Sequence, residues 1–155
     1  MDKVKKEDKK LLLKDLCARL PYGVKCSFGV DDAIYEITGI NPSACGASEI
    51  QATHTKSGIN GDFKLNSCKP YLFPLSSMTE EQFNGLKNIT GLNYPENLLE
   101  LVSWTDTHST LEFWLSEVPS YAVIKVFDWL NENHFDYVGL IPMGLATNAT
   151  GLNIY

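Results

Sequence analysis

The chain has 155 residues, 44% hydrophobic and 21% charged, a composition that builds a folded core and excludes disordered and fibrous classes. Net charge is −6 but unevenly spread: residues 1–25 carry +4 and the remainder −10, so the body of the protein repels a polyanion. No apolar run approaches the roughly 18 residues of a membrane-spanning helix, and no secretory-type apolar stretch follows the charged start, which points to the cytoplasm.

The length fits one domain. Residues 1–10 mix Lys with Asp and Glu and read as a charged tail or the frayed first turns of a helix, leaving 11–155 as a single domain. From Leu11 the pattern turns helical. Leu12, Leu16 and Leu20 recur at i, i+4 and i+8 with Leu13 and Cys17 beside them, while Lys14, Asp15 and Arg19 fall on other faces. Pro21 ends this amphipathic helix, since the residue before a proline is steered out of helical geometry.

Short segments rich in β-branched and aromatic residues follow. Residues 24–28 and 33–40 read as strands around the turn residues 29–32; 41–47 reads as a loop, 49–55 as a third strand, and 57–62 as a turn leading to Phe63–Leu65. Residues 68–75 are extended, but Pro70 and Pro74 argue against a central strand. The spacing predicts a small antiparallel sheet or barrel, giving a strand-rich half over about 11–76.

Thr79-Glu80-Glu81-Gln82 is a capping box, with Met78 and Phe83 placed to form a hydrophobic staple. The helix it opens runs through Leu86 and ends near Gly91. A short helix is expected after Pro95 and a strand over 110–115. Pro119 and Ser120 open a longer helix with Val123, Phe127, Leu130 and His134 on one face and Lys125, Asp128 and Glu132 opposite. Residues 140–145 read as a turn or strap. The fold class is therefore α+β: an N-terminal helix, a small sheet, and a mainly helical half over about 77–155.

Several chemistries find no support. The 11 glycines form no phosphate-binding loop. Cys17, Cys26, Cys45 and Cys68 are spaced by 9, 19 and 23, with no paired-ligand motif, so neither a metal nor a cofactor is expected, even if His54 is added. Asp106-Thr107-His108-Ser109 holds triad residue types, but adjacent residues do not converge as a triad must. Cys45, before Gly46 in a loop, is the one candidate nucleophile, and would need His54, His108 or His134 to lower its pKa. Trp129, Phe135 and Tyr137 read as core, with an aromatic recognition surface as the functional alternative.

Leu16-Cys17-Ala18-Arg19-Leu20-Pro21-Tyr22-Gly23-Val24-Lys25 joins the first helix to the first strand, and Lys69-Pro70-Tyr71-Leu72-Phe73-Pro74-Leu75-Ser76-Ser77-Met78-Thr79 joins the strand-rich half to the capped helix. With Asp128-Trp129-Leu130-Asn131 and His134-Phe135-Asp136-Tyr137, these stretches resemble a family of small proteins of unassigned activity encoded by phages, prophages and mobile elements of gut Bacteroides-type bacteria. The resemblance implies a bacterial cytoplasm and a phage or mobile-element setting, and lends no catalytic or binding residue.

The function expected first is a non-catalytic protein-binding or adaptor role, resting on 17 aromatic residues and the absence of a catalytic constellation. Weak nucleic-acid binding through the basic N-terminus and the β-rich half is the first alternative, and a cysteine enzyme using Cys45 the second. A protein partner is expected and a membrane is not.

Overall fold

The computed structural model describes residues 5–30, 32–41, 48–91, 116 and 118–155. The first element, α1 (Lys6–Arg19), begins inside the charged stretch 1–10, which thus supplies the first turns of a helix and not only a tail. Glu7 and Asp8 occupy its first turn, where carboxylates favour the positive end of the helix dipole, and Lys5 N–H donates to Asp8 Oδ2 at 3.2 Å. The mixed charges are helix-start chemistry. The buried face also differs from the apolar stripe: it carries Leu12 and Leu16 together with Asp15 and Arg19, and Cys17 is exposed. The polar pair enters the interior because the two side chains, one helical turn apart, neutralise each other. Pro21 then opens a single 3-10 turn, Leu20–Tyr22, closed by Gly23 at φ 68°.

The strands β1 (Lys25–Ser27), β2 (Tyr35–Asn41), β3 (Glu49–His54), β4 (Asn60–Lys64) and β5 (Lys69–Pro74) run antiparallel in the order β4-β3-β2-β1-β5. Register sets the faces. Tyr35 lies opposite His54, Ile37 opposite Ala52, Ala52 opposite Gly61 and Ile50 opposite Phe63, so these residues share one side; Ile37, Ile50 and Ala52 are buried there. Glu36, Thr53, Gln51 and Asp62 share the polar side. Among the described residues β4 pairs with β3 alone, so the sheet is open and not a barrel.

Proline does not keep β5 at an edge. β1 pairs with Lys69 and Pro70, β7 (Thr147–Asn148) runs parallel to Tyr71 and Leu72, and β6 (Phe135–Asp136) runs parallel to Phe73 and Pro74. Each partner takes two residues, so the missing N–H of Pro70 or Pro74 falls at the end of a short ladder and interrupts none.

The chain divides into two compact units, Met1–Leu72 with Leu140–Tyr155, and Phe73–Gly139. The boundary falls inside β5. In the first unit the C-terminus closes the ladder between β1 and β5. Beyond the Cys26–Pro70 pair the next partners in register would be Lys25 and Tyr71, and there Tyr155 Oη intervenes, accepting from Lys25 N–H at 3.0 Å and donating to Tyr71 C=O at 2.8 Å. Lys25 Nζ donates to Ile154 C=O at 2.7 Å.

Tyr155 as a whole is 40% exposed, but enclosure of its hydroxyl pushes the phenol above its ordinary value of 10.0. The Cys26 thiol is also pushed up, from 9.0, first by its hydrogen bond with the Cys68 thiol and then by burial. Both acids hold their protons more tightly folded than unfolded, so the stability they add is complete below about pH 9 and is lost as pH rises through and beyond 9.0 and 10.0. Urea midpoints are expected to fall across that alkaline range. Tyr155→Phe is expected to flatten the phenol's part of the decline, and an identical decline in the variant would remove Tyr155 from this account.

The second unit holds α2 (Glu80–Thr90), α3 (Ser120–Glu132) and β6. The capping box forms as read from sequence: Thr79 Oγ1 accepts from Gln82 N–H at 3.2 Å and Gln82 Oε1 accepts from Thr79 N–H at 2.9 Å. Gly91 ends α2 at φ 67°. Met78 and Phe83 are both buried, in one cluster with Leu86, Val118, Ala122, Val126, Leu130 and Phe135. The buried residues of α3 are Ala122, Val126, Leu130 and Asn131: Leu130 is on the expected face, while Ala122 and Val126 stand one residue before the expected Val123 and Phe127. His134 lies past the helix end, buried, at φ 58°, and its C=O accepts from Phe73 N–H at 2.9 Å.

The half expected to be mainly helical is thus only partly so: it also contains β6, β7 and the turns that follow Leu140. The helix expected after Pro95 and the strand over 110–115 lie outside the described residues. Among the described residues no helix is long and apolar enough to cross a membrane.

Candidate functional site

The aromatic residues Trp129, Phe135 and Tyr137 fall in the second unit, where Phe135 is buried and Trp129 and Tyr137 are half-buried against its core. Phe135 is 1% exposed, with Trp129 stacked on it at 5.7 Å and 14°. Tyr137 packs on Phe127 at 5.3 Å and donates its hydroxyl to Asn131 Oδ1 at 3.0 Å. Alternation along the last helix could not separate these anchors from core, because a helix end and a two-residue strand bury both sides of the segment. Cys45 and the Asp106–Ser109 stretch lie outside the described residues. Cys17, Cys26 and Cys68 are free thiols, and among the described residues no group of three or more His, Cys, Asp or Glu gathers as a metal site would need.

An aromatic cluster does reach the surface elsewhere, at the end of β2, β3 and β4. Phe28 and Phe63 stack face to face, with centroids 3.9 Å apart and planes at 6°. Tyr35 sets its ring edge-on to both, at 5.4 Å and 5.0 Å, and His54 sits edge-on to Tyr35 at 5.2 Å. Backbone register explains the gathering: Tyr35 and His54 are cross-strand partners, and Phe63 follows on the same face of β4. Gly61 makes it sterically feasible. A Cβ there would stand 2.9 Å from Phe63 Cε2, so glycine is what lets the Phe63 ring lie back along the strand.

Beside this cluster lies an open cup of about 240 Å³ with walls from Tyr35, His54, Ile59, Gly61 and Phe63 and polar groups from Ser57 and Asn60. Ile59 on the rim is 69% exposed. The volume falls below the roughly 300–1,000 Å³ of a small-molecule site and suits one side chain. A second cavity, between Lys9, Leu12, Leu65, Cys68 and Leu145, measures about 30 Å³ and holds little more than a water.

No family model, no curated protein and no solved structure matches the chain. The cup must therefore be read from its own chemistry.

His54 Nδ1 accepts from Ser57 N–H at 3.0 Å and lies 2.8 Å from Ser57 Oγ. A backbone N–H can only donate, so in the neutral ring Nε2 carries the proton. A hydroxyl beside an imidazole is the pairing of a nucleophile with its base, but that chemistry also needs a third group to orient the base. Here the partners all belong to one turn: Ser57 Oγ also accepts from Ile59 N–H at 3.4 Å, and Gly58 N–H donates to His54 C=O at 2.9 Å. The pair shapes the β3–β4 turn and hence the cup wall. Composition hid this site because its residues are scattered over Phe28, Tyr35, His54 and Phe63. The legible signal was the alternation of residues 33–40 leading into Tyr35 and Ile37, with the turn at 57–62 returning Phe63 to the same side.

Proposed function

We propose that the chain is a non-catalytic protein-binding or adaptor domain of phage or mobile-element origin, acting in a bacterial cytoplasm, and that the aromatic cup takes one apolar side chain of its partner. The observation that carries this reading is a solvent-open pocket of side-chain size, built from aromatic walls with few polar groups and rimmed by the exposed Ile59. Interfaces concentrate their energy in such places, where an aromatic or aliphatic anchor fills a pocket and loses water. The negative body of the protein favours this over nucleic acid, whose phosphates require a basic face.

Amide-resolved NMR titration tests the reading with N-acetyl amides of Leu, Phe and Trp, with N-acetyl-aspartate amide and single-stranded oligothymidylate as contrasts. Saturable shifts at Tyr35, His54, Ile59 and Phe63 with the apolar probes, lost in Ile59→Glu, are expected. Shifts of the cup with the oligonucleotide alone, or no saturable shift with any apolar probe, would overturn it.

A further inference from the structure

We propose that the partner binds as an extended segment that adds a strand to the edge of β4 left unpaired among the described residues, carrying a Lys or Arg opposite Asp62 with apolar residues on either side. This rests on the cup reading and specifies what fills it.

The backbone of β4 dictates the geometry. His54 N–H donates to Ile59 C=O at 2.9 Å and Leu65 N–H donates to Ser48 C=O at 3.1 Å. In an antiparallel ladder, bonded and non-bonded pairs alternate, so Gly61 and Phe63 direct their backbone groups to β3. The N–H and C=O groups of Asn60 and Asp62, and the N–H of Lys64, therefore point to the open edge. The Lys64 C=O is already engaged, accepting from Ser67 Oγ at 2.8 Å. An edge of this kind is a template for a further strand, with main-chain bonds supplying affinity and alternate side chains supplying choice.

The two faces of that added strand meet different chemistry. Residues opposite Gly61 and Phe63 fall on the cup side, where the walls are aromatic. The residue opposite Asp62 falls on the polar side. Asp62 is exposed, faces the uncharged Gln51 and makes no ion pair among the described residues, whereas Lys64, next along the same face, lies opposite Glu49. A cationic side chain opposite Asp62 completes a cross-strand charge pair. The favoured sequence is thus apolar–basic–apolar.

A display library of short random peptides, selected on the wild-type chain, tests this. Enriched peptides are expected to carry the apolar–basic–apolar order, and the best of them, added as a synthetic peptide, to slow hydrogen exchange at the Asn60, Asp62 and Lys64 amides. Asp62→Pro removes an outward N–H without touching the β3 ladder, and is expected to weaken that peptide at least about tenfold. Asp62→Lys, which keeps the N–H, is expected to shift the selected central residue from basic to acidic, and serves if the proline variant fails to fold. Equal binding to folded Asp62→Pro with unchanged exchange at those amides overturns the edge. If Ile59→Glu still abolishes that binding, the cup stands and only the strand addition falls. If no selected peptide prefers wild type over Ile59→Glu, both readings fall.

Discussion

Replacing Asp15 with Ala is expected to destabilise the protein by about 3–5 kcal/mol, read as a lower urea midpoint with an unchanged slope. Arg19 donates through Nε to Asp15 Oδ2 at 2.8 Å and through Nη2 to Oδ1 at 3.0 Å, and the two side chains are 0% and 1% exposed. A surface pair of this spacing would contribute a few tenths of a kcal/mol, because water screens it. Burial reverses the weighting. Removing Asp15 takes away the carboxylate that accepts both of these guanidinium bonds, so the desolvation of the buried charge is less well offset. Against a total stability of about 5–15 kcal/mol, the loss is a large fraction. Changing both residues together, Asp15→Leu with Arg19→Met, is expected to recover much of it, since no charge remains to be satisfied. An alanine variant that costs under about 1 kcal/mol would show that the last turn of α1 opens to water, contrary to the packing described.

The same pair shows where sequence reading ran out. Periodicity assigned α1 its helix and its apolar stripe, and both Leu12 and Leu16 are buried as expected. It put Asp15 and Arg19 on other faces, yet both are buried, because a charged residue at i and its opposite at i+4 read identically whether the pair faces water or lines a core. Local chemistry was more legible. The Thr79–Gln82 box, the Met78–Phe83 staple and the Gly91 stop concern neighbours in sequence, and all three form. What escaped was non-local pairing. The two-residue strands β6 and β7 are too short to show alternation, and they bind β5 across long stretches of chain. Residue type argued against a central β5, because proline rules do not say how short each ladder is. The cup was hidden for a related reason: its rings become neighbours through β-register, and register follows from strand pairing that sequence pattern leaves open.

Phe83→Ala is expected to cost about 3–5 kcal/mol, several times the roughly 1 kcal/mol that the Thr79 cap contributes to the same helix. Phe83 is 1% exposed and stands at the fourth helical position of α2, one turn after the cap, in one buried cluster with Met78, Leu86, Ala122, Val126, Leu130 and Phe135. Truncation removes the ring's transfer free energy and leaves a cavity whose lining loses its contacts. The cluster is poorly able to collapse into that space. Ala122 is already small, Val126 and Leu130 are fixed on the inner stripe of α3, and Phe135 is held from both sides by the ladder to β5 and the stacked Trp129. Phe83→Leu, which refills part of the volume, is expected to cost distinctly less. Urea unfolding followed by far-ultraviolet circular dichroism orders the three variants, and the order itself is the test. If Phe83→Ala costs no more than Thr79→Ala, the staple is ornamental and α2 is held by its cap alone. If Phe83→Ala dominates, the cap sets where the helix begins while the buried ring determines whether it docks on α3 at all.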